Sequence, residues 1–175
     1  MDEVLQLKTR QRIYDAVKEN PGSSARDVQR LEGLGWGETS HHLNRMVQAG
    51  VLRRERAPKR DFYFPMDVTW NERKCLMFLR GENTRRILFT LLATPGLRSV
   101  EVADRLGVGK STVSFHLTRL VQGGLVLSSR EDVTCRYRVA HPDQVTSVLG
   151  SYRANFREEL ASRFAEIWDA LLPEE

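Results

Sequence analysis

Apolar residues recur at steps of three and four along most of this chain, and two short alternating runs interrupt them. In the second half the pattern is clearest. Ile87, Leu88, Leu91 and Leu92 fall on one side of a first helix that Pro95-Gly96 stops, with Asn83 or Thr84 placed to cap it. Ser99 stands at the start of a short second helix whose Val102, Ala103 and Leu106 face inward. Gly107-Val108-Gly109 predicts a tight turn, because glycine tolerates the positive φ that other residues resist. A third helix follows from about Lys110 to Gln122, burying Val113, Leu117, Leu120 and Val121 and ending at Gly123-Gly124. Leu125–Arg130 and Thr134–Val139 then read as two strands around a Glu131-Asp132 turn.

The same order occurs once before. At an offset of 74 residues, positions 12–52 align with 86–126 without a gap, and fourteen of the 41 positions are identical. Among them are Arg12/Arg86, Pro21-Gly22/Pro95-Gly96, Gly33/Gly107, His42-Leu43/His116-Leu117 and Gly50/Gly124. The chain is therefore two copies of one unit of about 60 residues. In the first copy the helices are expected at about Thr9–Glu19, Ser24–Leu31 and Glu38–Gln48, and the strands at Leu52–Arg56 and Asp61–Phe64. Between the copies, Asp67 or Thr69 can cap a helix carrying Trp70, Cys75, Leu76, Phe78 and Leu79, which would fix the copies rather than tether them loosely. After His141-Pro142 a stripe through Val145, Val148, Leu149, Tyr152, Phe156, Leu160, Phe164, Ile167, Trp168 and Leu171 predicts one helix over 143–172. At about 45 Å such a helix outruns a 60-residue domain, so part of the stripe is expected to meet a second copy of the chain in a homodimer.

Helix, helix, turn, helix, hairpin is the order of the winged helix-turn-helix. At STVSFHLTRLVQGGLV the chain resembles the ArsR and MarR type repressors, and TSHHLNRMVQAGVL with its basic hairpin closing in FYFP is similar to the tandem winged-helix regulators common in archaea. The resemblance covers residues 9–65 and 83–141. It implies a mainly α fold with small β-hairpin wings, arranged as a first domain (1–65), a connecting helix (66–82), a second domain (83–141) and a C-terminal dimerisation helix (142–175). It also implies a DNA-binding transcriptional regulator, since in such folds the third helix enters the major groove of double-stranded DNA.

The candidate base-reading face in copy two is Lys110, Ser111, Thr112, Ser114, Phe115, Thr118 and Arg119, a small, polar and basic set with no acid. Phe115 is suited to a thymine methyl. Copy one departs from this with Gly37, Glu38, Ser40, His41, Asn44, Arg45 and Gln48. There Glu38 repels phosphate and Gly33, Gly35 and Gly37 loosen the turn, so a weaker groove contact, or none, is expected. Trp36 takes the place of Lys110 and reads either as a core plug, the preferred choice, or as an exposed stacking group. Copy one compensates in its hairpin, where residues 53–60 carry Arg53, Arg54, Arg56, Lys59 and Arg60 against a single acid, a natural contact for the DNA backbone or minor groove.

Charge supports this placement. The chain's formal net charge is +4, distributed as +3 over 1–79, +5 over 80–142 and −4 over 143–175, a basic body with an acidic tail. No apolar run reaches the roughly 20 residues of a membrane span, and the charged N-terminus is unlike a signal peptide, which points to a cytoplasmic, nucleoid-associated protein. Cys75 and Cys135 lie far apart and fit reduced, buried thiols. His42 and His116 repeat without acid or cysteine partners at ligand spacing, so no metal or other cofactor is expected, and a packing role with a hydrogen bond, to a phosphate among other partners, is expected instead. GVGKST at 107–112 lacks the leading glycine of a phosphate loop, and no catalytic constellation appears, so an enzyme is not expected. An architectural, chromatin-type DNA-coating protein and a winged-helix protein-interaction module are the alternatives.

Overall fold

The computed structural model describes residues 7–131 and 133–152, which fall into two compact units divided between Met77 and Phe78. In the first unit, helices α1 (Lys8–Glu19), α2 (Ala25–Glu32) and α3 (Trp36–Gln48) precede the hairpin β1 (Leu52–Ala57) and β2 (Arg60–Pro65). Helix α4 (Trp70–Leu79) follows and reaches the division. Among the described residues no helix is long and apolar enough to cross a membrane.

Each element starts and stops for local reasons. Ser24 sits at the N-cap of α2, where its hydroxyl accepts from the Asp27 peptide N–H while the Asp27 carboxylate accepts from the Ser24 N–H at 2.9 Å. Gly33, at φ 64°, ends the helix in the left-handed region. The third helix begins at Trp36, two residues earlier than expected, in register with its sister in copy two. Thr69 caps α4, its N–H and hydroxyl both donating to the Glu72 carboxylate at 2.8 and 2.6 Å. The core of the first unit is a cluster of Ile13, Val17, Val28, Leu43, Met46, Val51, Leu52 and Tyr63.

The second unit holds α5 (Glu82–Ala93), β3 (Leu97–Arg98), α6 (Ser99–Leu106), α7 (Lys110–Gln122), β4 (Val126–Glu131), β5 (Thr134–Val139) and α8 (Pro142–Ser151). Val102, Ala103, Leu106, Val113, Leu117 and Leu120 are buried as expected, with Val121 half-buried. Two expected caps are corrected. Helix α5 starts at Glu82 after Gly81, and Thr84 is buried with its hydroxyl donating to the carbonyls of Phe78 and Gly81. Ser99 is already helical, and the N-cap position belongs to Arg98, whose N–H donates to Glu101 at 2.8 Å. Strand β3 is an addition. It makes a three-stranded sheet in the order β3-β5-β4, and a two-residue strand is too short to leave an alternating pattern.

The structure extends the repeat through the hairpins. Leu52 pairs with Pro65 and Val126 with Val139, so the strand register is the same at the offset of 74 residues. It also explains the identities. The Arg12 guanidinium donates to the Glu32 carbonyl at 3.0 Å and the Arg86 guanidinium to the Leu106 carbonyl at 2.8 Å, both closing the end of the second helix. Gly22 and Gly96 hold φ of 81° and 82° while their N–H groups donate to the carbonyls of Tyr63 and Tyr137 at 2.8 and 2.9 Å. In the tail, Val145, Val148 and Leu149 of α8 are buried. Residues 153–172 of the expected long helix, with Phe156, Leu160, Phe164, Ile167 and Trp168, lie outside the described residues.

The two glycines separate conformational cost from packing cost. A Cβ on Gly96 meets nothing within 4 Å, whereas on Gly22 it comes within 3.2 Å of the buried Phe64 ring. Gly96→Ala is expected to destabilise its unit by about 1–2 kcal/mol, the left-handed penalty alone. Gly22→Ala should cost measurably more. Denaturant unfolding of the two variants checks this, and equal losses would be the wrong result.

Candidate nucleic-acid interface

Helix α7 presents the face read from its sequence. Lys110, Ser111, Ser114, Phe115, Thr118 and Arg119 are exposed and Thr112 is half-buried. No side chain caps α7, so the Ser111 and Ser114 hydroxyls are not spent on its N-terminus. The Thr118 hydroxyl instead donates back to the Ser114 carbonyl at 2.9 Å, and the Arg119 guanidinium lies 5.7 Å from the Phe115 ring centre. In α3, His41, Asn44 and Arg45 are exposed and Ser40 is half-buried. Trp36 is 53% exposed, which corrects the expectation of a core plug. As the first residue of α3 it precedes the first turn that packs on the core, where Thr39 is the first buried position.

The first hairpin has two faces, as strand alternation demands. On one, Arg54 donates to the Asn44 side-chain oxygen at 3.1 Å and lies 3.8 Å from Asp61, which ties the strand to α3. On the other, Glu55 accepts from Arg73 Nε of α4 at 2.8 Å, and the buried Arg73 also donates to the Val68 carbonyl. The single acid of the basic run is thus committed to a buried guanidinium. Arg53, Arg56, Lys59 and Arg60 remain exposed, with Arg60 stacked 4.7 Å from the Phe62 ring centre.

Between α2, α3 and this hairpin lies a concavity of about 630 Å³ whose lining includes Arg26, Arg30, Trp36, Ser40, Asn44, Arg54, Lys59 and Arg60. Arg26 and Arg30 were absent from the sequence-based site, although their spacing of four on an exposed helix face is a readable signal. Asp27 and Asp61 also line it. Burial pushes the Asp27 carboxyl up, but bonds from the Ser24 hydroxyl and N–H and the nearby Arg30 outweigh it, so its pKa falls below the ordinary value. At the same positions the second copy has Val100, Asp104, Lys110, Ser128, Val133 and Thr134 in place of Arg26, Arg30, Trp36, Arg54, Lys59 and Arg60. The first unit thus carries a concavity lined by five cations and two acids, and the second copy has one cation and one acid at the six positions compared.

Residues 7–76 match a family model described as an N-terminal HTH domain, and residues 80–126 match one described as winged helix-turn-helix DNA-binding. The chain carries two winged helix-turn-helix domains in tandem. It is 28% identical over 131 residues to an uncharacterized HTH-type transcriptional regulator, MJ1398, of Methanocaldococcus jannaschii; the match takes in 74% of this chain and 33% of that protein. The chain thus spans about a third of the length of this curated relative. Among solved structures, HlyU from Vibrio cholerae is 26% identical over 48% of this chain and 90% of its own, with a TM-score of 0.42. The homodimeric winged helix-turn-helix DNA-binding domain of Mb0332 from Mycobacterium bovis is 27% identical over 51% of this chain and 82% of its own, also at 0.42.

The repeated histidines of the two winged helices turn away from the exposed face of the third helix. His42 Nδ1 accepts from Arg10 Nε of α1 at 3.4 Å, and His116 Nε2 lies 3.4 Å from the Asn83 amide nitrogen of α5. Each imidazole thus lies against the first helix of its unit. Burial, then neighbouring cations (Arg10 and His41 for His42, Arg119 for His116), lowers both pKa values below the ordinary one. A depressed histidine pKa contributes stability above the unfolded value near 6.5 that is lost as pH falls. No group of three or more metal-ligating side chains occurs among the described residues. Gly107-Val108-Gly109-Lys110 is the turn into α7 and follows helix α6, where a phosphate loop would follow a strand.

The cysteines differ. Cys75 is buried, and desolvation pushes its thiol up to about 12, whereas Cys135 on β5 is exposed, contrary to the expectation for both. Since the thiolate is the nucleophile, a thiol-specific reagent at pH 8 is expected to titrate one cysteine in the native protein and both after denaturation. Two rapid native equivalents would contradict the burial of Cys75. Glu55→Ala leaves the buried Arg73 Nε without its carboxylate partner and should lower stability by about 1.5–3 kcal/mol, the worth of a hydrogen bond to a charged group. A melt unchanged from wild type would show that the pair does not hold the wing.

Proposed function

We propose that the chain is a DNA-binding transcriptional regulator, acting on the nucleoid in the cytoplasm, whose two winged helices divide the work. The first supplies most of the sequence-independent grip on phosphate, and the second does most of the base reading. The observation that carries this is the contrast between the residues lining the first unit's concavity and those at the same positions of the second copy. Five cations and two acids line the first, whereas the equivalent positions of the second carry Arg98 and Lys110 against Glu101 and Asp104, beside the exposed hydroxyls of α7. Phosphate neutralisation gives affinity without sequence, while Ser, Thr and Arg on a third helix can bond base edges. The proposed contacts are therefore Arg53, Arg54, Arg56, Lys59 and Arg60, with Arg26 and Arg30, in the first domain. In the second they are Lys110, Ser111, Thr112, Ser114, Phe115, Thr118 and Arg119.

Selection of bound fragments from random DNA supplies the preferred site for the tests. Replacing the five wing cations by Ala should weaken binding to all sequences, each lost phosphate contact reducing the slope of log affinity against log salt by about 0.9. An unchanged slope would remove the wing from the interface. Ser111→Ala, Ser114→Ala and Arg119→Ala should each cost roughly 1–3 kcal/mol on the preferred site and much less on random DNA, with milder effects at Ser40 and Arg45. Equal losses on both DNAs would instead favour a DNA-coating role.

The apolar stripe over 143–172 supports a homodimer through the tail. Because Val145, Val148 and Leu149 are buried, a tail deletion should begin after Tyr152 rather than after Pro142. Light scattering is expected to give twice the 20.1 kDa chain mass for the full protein and a monomer for the deletion. A monomeric full chain at micromolar concentration would rule the dimer out.

A further inference from the structure

Trp36 is the first residue of α3, and Ser40 and Asn44 follow it at steps of four along the same side of the helix. All three line the concavity that Arg26 and Arg30 flank from α2, and Lys59 and Arg60 from the hairpin. A tryptophan 53% exposed between cations gains nothing from solvent, and the corresponding position of the second unit is a lysine. The indole has one N–H donor and no acceptor, and the rest of its surface is apolar. The first turn of a third helix is the part that reaches base edges. There the major groove offers hydrogen-bond donors and acceptors on every base pair but a single kind of apolar group, the C5 methyl of thymine. Asn44 accepts from Arg54, so it is already engaged within the domain and leaves the apolar end of the stripe as the distinguishing feature.

We propose that Trp36 is a specificity-determining residue that packs on the C5 methyl of a pyrimidine in duplex DNA. It makes the first domain selective for thymine, or 5-methylcytosine, at one position of the site. This rests on the placement of α3 in the major groove, and it gives the first domain a reading function beyond its phosphate grip. The second unit has its own exposed aromatic, Phe115, but that ring lies under the Arg119 guanidinium and one turn further along its helix. The two domains would thus sense methyl groups with different geometry.

The test is a thymine-to-deoxyuridine scan of the selected duplex with the full chain, which removes one methyl at a time and leaves every hydrogen-bonding edge intact. For wild type, one position is expected to lose about fourfold in affinity, the worth of one buried methyl, and 5-methylcytosine in place of cytosine there should regain a similar factor. Trp36→Gln, whose fold is checked by circular dichroism, should bind the thymine and deoxyuridine duplexes equally at that position. A flat scan, or a ratio that persists in Trp36→Gln, overturns the proposal. Lys59→Ala with Arg60→Ala separates the two levels. If this variant binds all DNA more weakly while the scan is flat, the methyl reading alone fails. If it binds as wild type, the first domain is not on the DNA and the proposal falls with that placement.

Discussion

In both units a glycine N–H donates to the carbonyl of a tyrosine on the returning strand of the hairpin, Gly22 to Tyr63 and Gly96 to Tyr137. Units this small bury little and have few ways to hold a hairpin against three helices. The glycine lies just ahead of the second helix, so one bond sets where the hairpin stands relative to it. The positive φ at that point turns the chain from the first helix toward the strand, and both units extend the link, the first with the Ser23–Tyr63 bridge and the second with the β3–β5 pairing. Without this closure, the cations of the first hairpin and those of α2 would not line one surface.

The residues that repeat are those the scaffold needs. Arg12 and Arg86 close the second helix, Gly33 and Gly107 turn out of it, and Leu43 and Leu117 fill the core from the third helix. Most positions lining the first unit's concavity differ between the copies, Ser40/Ser114 and Tyr63/Tyr137 aside, because a side chain directed into solvent alters charge and shape at almost no cost to the fold. The two domains thus share one architecture and differ in the charges they carry at these positions.

Glu55 shows how a strand handles an unwelcome charge. An acid within a run of five cations would weaken a phosphate contact if it shared their face. Here the buried Arg73 donates to it at 2.8 Å, so the charge is neutralised although Arg53 and Arg60 share its face of the hairpin. The same pair ties the hairpin to α4, so one interaction both neutralises the acid and holds the hairpin in place. Arg73 also lies 5.5 Å from the Trp70 ring centre, which extends the anchor to the start of α4.

Much of this was readable from the chain alone, because helix periodicity, capping residues and glycine turns act over a few residues. The helix order, the repeat, the exposed face of α7 and the basic hairpin all follow from local pattern. What local pattern cannot report is which side of an element meets which neighbour. Trp36 was expected inside because a large aromatic usually is, yet it stands one turn before the core-facing stripe begins. Cys135 is exposed and Cys75 buried, although their sequence surroundings do not distinguish them. Arg26 and Arg30 join the site only because the bridge at Ser23 brings the start of α2 beside the hairpin, and β3 exists only because β5 is there to pair with it. Composition and periodicity, acting locally, determined the elements and their repetition. The tertiary structure alone decided which charges share a surface, since that depends on contacts between residues thirty or forty positions apart.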